Sequence, residues 1–325
     1  MKILVTGSAG HLGEALMRTL RESEHEPVGV DVLDSPFTDL KGSIVDRDFV
    51  RRAMHGVDAV LHAATLHKPH VATHSRQDFI DVNLTGTLNL LEAAIDAAAR
   101  AFVFTSTTSA FGRALSPPPG QPAAWLTEDV APVPKNIYGV TKVAAENLCE
   151  LAHRDAGLPC LVLRTSRFFP EDDDQPAVRD AREDANNKAN EFLYRRVDIE
   201  DVVDAHLLAL ARAREIGFAR YIVSATTPFT REDLAELRAD APAVVRRHVP
   251  EYAIPYERRG WTMFESIDRV YDNAKARAEL GWRPKVDFRR VIERLEGDGD
   301  LRSPLARAVG SKGYHRPVVP AKAGT

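Results

Sequence analysis

Short apolar runs alternate with longer stretches of helical period through the first two thirds of the chain. "KILVTG", residues 2–7, is an apolar run closed by a turn and reads as a buried strand. In "HLGEALMRTLRES" Leu12, Leu16 and Leu20 fall on one helical face. "EPVGVD" predicts a second strand, "DFVRRAMHG" a short helix and "DAVLHAA" a further strand. "DFIDVNLTGTLNLLEAAIDAAA", residues 78–99, predicts one long helix, followed by the strand "AFVFTST", a helix beginning at Tyr138 and the strand "PCLVLRTS". The strands are apolar at every position rather than at alternate ones. Both faces of their sheet must therefore be covered, which is the pattern of a parallel sheet between helical layers. The expected fold class is α/β, a doubly wound parallel sheet.

After Phe168 the rhythm breaks. "PEDDDQPAVRDAREDANNKAN" is charged, carries two prolines and has no apolar period, so it reads as a loop or short lobe. "RRVDIEDVVDAHLLALARA" restores a helix and "RYIVSA" is a late strand; from Thr230 to about Leu295 small helices surround a second strand or two. Beyond Glu296 the chain is rich in Gly and Pro and aperiodic, a tail that stays mobile unless something pins it. The expected organisation is a dinucleotide-binding domain over 1–166, to which 197–224 return, a small C-terminal α/β substrate lobe from 167–196 and 225–296, and a tail over 297–325.

Composition narrows the function. With 325 residues, 44% hydrophobic and 28% charged, the chain is of soluble globular type. A net charge of −4 with both signs scattered offers no field for nucleic acid and no basic face for a membrane. No apolar run has membrane-spanning length, no secretory leader precedes the first strand, and two cysteines fit a reducing compartment. A cytoplasmic protein is expected.

"GSAGHLG" sets Gly7, Gly10 and Gly13 where the first strand turns into the first helix. Glycines there permit a tight turn and bring backbone N–H groups onto a pyrophosphate at a helix N-terminus. Gly7, Ala9, Gly10, His11, Leu12 and Gly13 are the expected contacts. Asp31 ends the next strand, near the ~20-residue spacing of a ribose-binding acid. Its carboxylate accepts from ribose hydroxyls and repels a 2′-phosphate. A charged hydrogen bond of about 1.5–3 kcal/mol favours NAD over NADP by roughly ten- to a hundredfold. Val32 and Leu33 supply no guanidinium for a phosphate, so NAD is the expected cofactor.

"YGVTKVAAENL" places Tyr138 and Lys142 one helical turn apart on the same face. Alone, such a pair is as consistent with a helix surface as with acid/base chemistry. With "VTGSAGHLG", "DAVLHAA", "DVNLTGTLNLLEAA", "FVFTSTTSAFG", "YGVTKVAAE", "DIEDVVDAHLLAL" and "ARAELGWRPKVDF" in order from about residue 5 to 288, the chain resembles an extended short-chain dehydrogenase/reductase of the NAD-dependent epimerase/dehydratase family. The resemblance implies a Rossmann-type sheet, with Tyr138 as general acid/base toward a substrate hydroxyl and Lys142 on the nicotinamide ribose. A cation one turn away is then expected to bring the phenol pKa down toward the working pH. By the same register Thr107 steadies the reacting oxygen, and a register one residue away would give that role to Ser106 or Thr108. Asn83 either ties backbone near the cofactor or caps a helix. Ser43 and Ile44 fall at the adenine, and Ala63 and Ala64 at the cofactor edge. The resemblance also implies a homodimer built from the helices at 84–98 and 138–153.

Three departures from the family bear on substrate. Ser43 stands where sugar-nucleotide epimerases usually carry Asp. Arg167 replaces the Asn after the sixth strand. The G-x-G-x-x-x-R segment, whose arginine helps bind nucleotide phosphates, is lost, and Tyr194 stands at the arginine position with Arg195 and Arg196 following. Arg167 before "FFPE" is similar to uronate dehydrogenases, and a guanidinium suits a carboxylate. The proline-rich stretch 113–134 is either a cover over the substrate with Trp125 as a wall, or a surface loop. Of His62, His67, His70 and His74, substrate contact by His67 or His70 is preferred to metal, since Pro69 interrupts a shared helical face; "EDDD" at 171–174 reads as a solvated acidic loop. The expected function is an NAD-dependent oxidoreductase or epimerase acting on a secondary hydroxyl of a sugar or sugar nucleotide. The alternatives are a dehydrogenase of a free sugar acid and a non-catalytic NAD(H)-sensing module.

Overall fold

The apolar runs form the centre of a seven-stranded parallel sheet. A computed structural model of the chain describes residues 1–172, 176–297 and 299–313. Its strands are β1 (Lys2–Thr6), β2 (Glu26–Asp31), β3 (Leu40–Lys41), β4 (Ala59–His62), β5 (Ala101–Thr107), β6 (Ala124–Leu126), β7 (Cys160–Thr165), β8 (Phe218–Val223) and β9 (Arg269–Tyr271). The large sheet runs β3-β2-β1-β4-β5-β7-β8, while β6 and β9 pair separately. The chain steps outward from β1 to β3, returns to β4 beside β1 and then steps outward the other way. A crevice therefore opens at the carboxyl ends of β1 and β4, where Thr6 faces His62 in register. Helices His11–Arg21 and Ile199–Ile216 cover one face through Leu16, Met17, Val202 and Val203. Helices Gly86–Asp96 and Ile137–Ala156 cover the other through Leu90, Leu91, Ala145 and Cys149. Burying each such leucine contributes about 1.5–3 kcal/mol.

The predicted helix over 78–99 is interrupted. It is a short helix Arg76–Ile80, a π turn Asp81–Thr85 and a helix Gly86–Asp96. The wider turn leaves Asn83 buried.

The charged stretch 170–190 is not only loop. It contains the helices Pro176–Ala181 and Asp184–Glu191. The second shows no apolar period because its buried face is made of amides. Asn190 donates to the Thr262 carbonyl and accepts from the Tyr256 hydroxyl, Asn186 accepts from the Thr262 N–H, and Asn187 donates to the Arg182 carbonyl. Around this helix lies a second apolar core that includes Leu193, Leu237, Val244, Tyr256, Val270 and Val291.

The aperiodic stretch after Glu296 folds back rather than trailing away. Ser303 caps the helix Pro304–Val309 and its hydroxyl donates to Asp198 at 2.6 Å, and the helix packs on His11–Arg21 and Ile199–Ile216. Residues 314–325 of the expected tail, and Asp173 and Asp174 of the acidic run, lie outside the described residues. Among the described residues no helix is long and apolar enough to cross a membrane.

Candidate active site

A cleft of about 1530 Å³ lies along the carboxyl ends of the strands and continues between the sheet and the second core. Its floor begins at the glycine loop. Gly7 adopts φ +75°, and a Cβ there would lie 2.7 Å from the Ala64 nitrogen, so only glycine lets the loop pass β4. A Cβ at Gly13 would come within 1.9 Å of the Gly7 carbonyl oxygen. The loop therefore runs tight against the first turn of helix His11–Arg21, whose N-terminus carries no side-chain cap. Uncapped N–H groups at a helix N-terminus, with glycines before them, fit the pyrophosphate of a dinucleotide.

Asp31 closes the end of this floor. Its carboxylate accepts from the Ala9 N–H at 3.0 Å and from the Leu33 N–H at 2.9 Å, which locks Asp31 to the glycine loop. Gly7, Gly10, His11, Leu12, Gly13, Asp31, Ser43, Ile44, Ala63 and Ala64 all line the cleft. Ala9 does not; it is buried and acts through Asp31.

Thr107, Thr108 and Tyr138 line the middle of the cleft. Thr107 ends β5, and its hydroxyl caps the following turn by accepting from the Ser109 N–H. Tyr138 lies in the first turn of helix Ile137–Ala156, which Asn136 caps. Burial pushes the phenol up to about 12, and the neighbouring Thr107 hydroxyl pulls the other way. This departs from the expectation that Lys142 lowers it. The Lys142 ammonium is turned inward, donating to the Thr105 carbonyl at 2.6 Å and lying 4.0 Å from the centre of the Phe104 ring. Burial brings Lys142 down to about 7, with Glu146 opposing.

Asn83 is a tie and not a cap. It accepts from the Leu66 N–H and the Thr65 hydroxyl and donates to the Leu66 carbonyl and to Thr141, behind the cleft wall. It thereby fixes the loop after β4 to the Tyr138 helix.

The far half of the cleft is basic. Arg167, Arg182, Arg195, Arg238 and Arg269 line it. Buried Glu191 gathers Arg196 at 2.8 Å, Arg195 at 2.7 Å and Arg167 at 3.9 Å. Burial alone would raise the Glu191 carboxyl, but the arginines hold it down at about 2. Tyr194, at the lost arginine position, is packed by Arg195 and Arg269. Arg182 is anchored on Thr262 and over the Phe264 ring. Sequence reasoning singled out Arg167 and noted Arg195 only as a neighbour of Tyr194; it missed Arg182, Arg238, Arg269 and Lys312, which reach the cleft from segments without a motif. His67 and His70 line the cleft, and His67 stacks on Phe169 with ring centres 5.3 Å apart. Trp125 is not a cleft wall: its indole N–H donates to Asp272, and Leu115 and Ser116 are the cleft residues of that stretch. Among the described residues no group of three His, Cys, Asp or Glu side chains is placed to hold a metal ion.

Comparison with known proteins agrees with this geometry. The family model described as "NAD dependent epimerase/dehydratase family" matches residues 3–223. The chain is 26% identical over 319 residues to a UDP-glucose 4-epimerase of Lactobacillus helveticus, spanning 88% of this chain and 92% of that protein. It is 31% identical over 354 aligned positions to a dTDP-glucose 4,6-dehydratase of Streptomyces niveus, spanning 96% and 99%. The crystal structure of UDP-glucuronic acid 4-epimerase from Bacillus cereus in complex with NAD shares the fold, with a TM-score of 0.62 at 20% identity over 92% of this chain and all of that one. Sheet order, glycine loop and the matched length lead to one assignment: the chain belongs to the NAD dependent epimerase/dehydratase family, as an NAD-dependent enzyme of the extended short-chain dehydrogenase/reductase type.

Proposed function

We propose that the enzyme epimerises a secondary hydroxyl of a sugar bearing an anionic group, a sugar nucleotide first of all, with Tyr138 as the acid/base. The observation that carries this reading is that Tyr138 and Thr107 line the middle of one cleft, between the glycine loop and the arginines. NAD held along the glycine loop would supply a hydride acceptor, a hydride donor and a positive charge, and that charge would lower the phenol that burial raises to about 12. Tyr138 then accepts the hydroxyl proton and later returns it, while Thr107 holds the reacting oxygen. Lys142, whose ammonium is held on the Thr105 carbonyl, would have to turn toward the cleft to reach the nicotinamide ribose. The arginines receive the anionic part of the substrate, a diphosphate or a carboxylate, both of which a guanidinium binds in bidentate fashion.

Elimination of water fits less well. It needs a further acid and base beside the tyrosine, and the residues after Thr107 are Thr108 and Ser109. The carboxylates that line the cleft among the described residues are Asp31, Asp78, Asp81 and Asp268, and Asp31 is taken by the adenosine end. The uronate-type alternative is favoured by one observation, the basic half itself, which suits a free carboxylate as well as a diphosphate.

Helices Gly86–Asp96 and Ile137–Ala156 expose Leu88, Val140 and Leu151, apolar positions that a homodimer of these helices would cover. The two free buried cysteines suit the reducing cytoplasm.

The test is Tyr138→Phe, with bound nucleotide and turnover measured on sugar nucleotides and sugar acids. Retained NAD with turnover reduced by ~10²–10⁴-fold is expected. Turnover within about tenfold of the parent would remove Tyr138 from the chemistry. NADH released from sugar acids alone would favour the uronate-type reading. A cofactor-sensing module would show no turnover in the parent either.

A further inference from the structure

The chain returns from the helix Pro304–Val309 to the mouth of the glycine loop. Glu171, on the loop after β7, lies there with one carboxylate oxygen surrounded by donors. His11 Nε2 and the Ser311 hydroxyl approach it at 2.8 Å, and the N–H groups of Lys312 and Gly313 at 3.0 Å. Burial would raise the Glu171 carboxyl, but His11 leads these partners in holding it down at about 2. The Lys312 ammonium donates to Glu14 at 2.5 Å, and Glu14 also pairs with Arg18. Phe169 packs edge-on to His11, with ring centres 5.4 Å apart. His11 is the first residue of the helix whose uncapped N-terminus faces the pyrophosphate position, and Lys312 and Gly313 line the same cleft.

Three segments far apart in the chain are joined by these contacts, namely the phosphate loop, the loop after β7 and the C-terminal segment. We propose that residues 311–313 form a latch on the pyrophosphate side of the cofactor cleft, so that a bound dinucleotide leaves only when their contacts with Glu171 open. The latch rests on the reading that NAD lies along the Gly7–Gly13 loop, and it adds to that reading a determinant of how long the cofactor stays. A redox-neutral epimerase must keep one cofactor molecule between its two half-reactions, and a closed wall over the phosphates serves that need.

The experiment uses the full-length protein loaded with NADH, chased with excess NAD and followed by loss of NADH fluorescence. Glu171→Ala removes the common acceptor, and Lys312→Pro removes one backbone donor and the ammonium. Each is expected to release NADH about tenfold or more faster than the parent. Arg307→Ala, on the exposed side of the preceding helix, is expected to release at the parental rate. Thermal unfolding without cofactor reports whether each variant is folded, and if Glu171→Ala is not, Lys312→Pro decides. Release within about twofold of the parent in the folded variants overturns the latch. An equal acceleration in Arg307→Ala also overturns it. A parent that binds no NADH overturns the cofactor reading itself, which is a separate result.

Discussion

Two alanine substitutions in the glycine loop should separate the fold from the cofactor. At Gly13 an added Cβ would sit 1.9 Å from the Gly7 oxygen, 2.5 Å from the Gly7 carbonyl carbon and 2.7 Å from the Ser8 Cα, all backbone atoms. Ordinary contact begins at 3.4 Å, so loop and helix must part by roughly 1.5 Å. Overpacking of this kind costs about 3 kcal/mol at the upper end of its usual range. Alanine returns about 1 kcal/mol of helix propensity. A net loss of about 2 kcal/mol corresponds to a melting temperature lower by about 3 °C in a chain of this size. The displaced carbonyl belongs to the cradle, so NAD affinity should fall as well. At Gly10, with φ −77°, the added Cβ meets only the Gly7 oxygen, at 3.2 Å, and otherwise points into open space. Gly10→Ala should melt like the parent yet bind NAD about tenfold or more weakly, because the methyl takes space meant for the phosphates. Titration calorimetry with NAD and thermal unfolding of the cofactor-free variants provide both readings. A Gly13→Ala protein that melts like the parent, or a Gly10→Ala protein that binds like it, would refute the close-approach reasoning.

Asp31→Asn keeps the shape but removes the charge that, on the proposed reading, would bind ribose and repel a 2′-phosphate. The ratio of NAD to NADP affinity should narrow by roughly tenfold, read from the two dissociation constants. Glu191 has a folded pKa held below its unfolded value, so the unfolded state binds more protons as acid is added. Its contribution is complete above about pH 4.5 and is lost as pH falls toward about 2. Thermal unfolding across that window should fall more steeply in the parent than in Glu191→Gln. At neutral pH the variant should be less stable by about 3 kcal/mol, since three arginines lose their common partner. Arg182→Met and Arg269→Met should raise the KM for an anionic sugar about tenfold or more with kcat little changed; a fall in kcat alone would place these residues elsewhere in the reaction.

What could be read from the sequence was local. Strand, turn, helix and acid follow one another within residues 2–31, so spacing singles out Gly7 and Asp31, while Tyr138 and Lys142, one turn apart, needed the family resemblance as well. Lys142 shows the limit of that reasoning. Helix spacing puts it on the Tyr138 face, but the Thr105 carbonyl and the Phe104 ring, from another element, decide where its charge points. The pairing of β6 with β9 joins Ala124 to Arg269 and leaves no periodic trace in either segment, so the turn of Trp125 toward Asp272 was hidden. The helix Asp184–Glu191 was hidden for a different reason: hydrophobic periodicity is silent when the buried face is asparagine. Ser303 and Lys312 are single polar residues in an aperiodic stretch, and their partners Asp198 and Glu14 lie far back in the sequence.

The amide face of that helix also bears on the order in which the molecule can be completed during synthesis. A short helix without an apolar stripe has little to hold it before its partners exist. The Asn190 amide waits for the Thr262 carbonyl, 72 residues later. At about 5–20 residues per second, that is a delay of roughly 4–14 s on the ribosome. Arg182 waits for the same residue, and the segment that touches Glu171 emerges later still. The sheet and its phosphate loop can thus assemble while the far wall is still being made. A ribosome that stops early would release a chain able to form the nucleotide floor but not the basic half of the cleft.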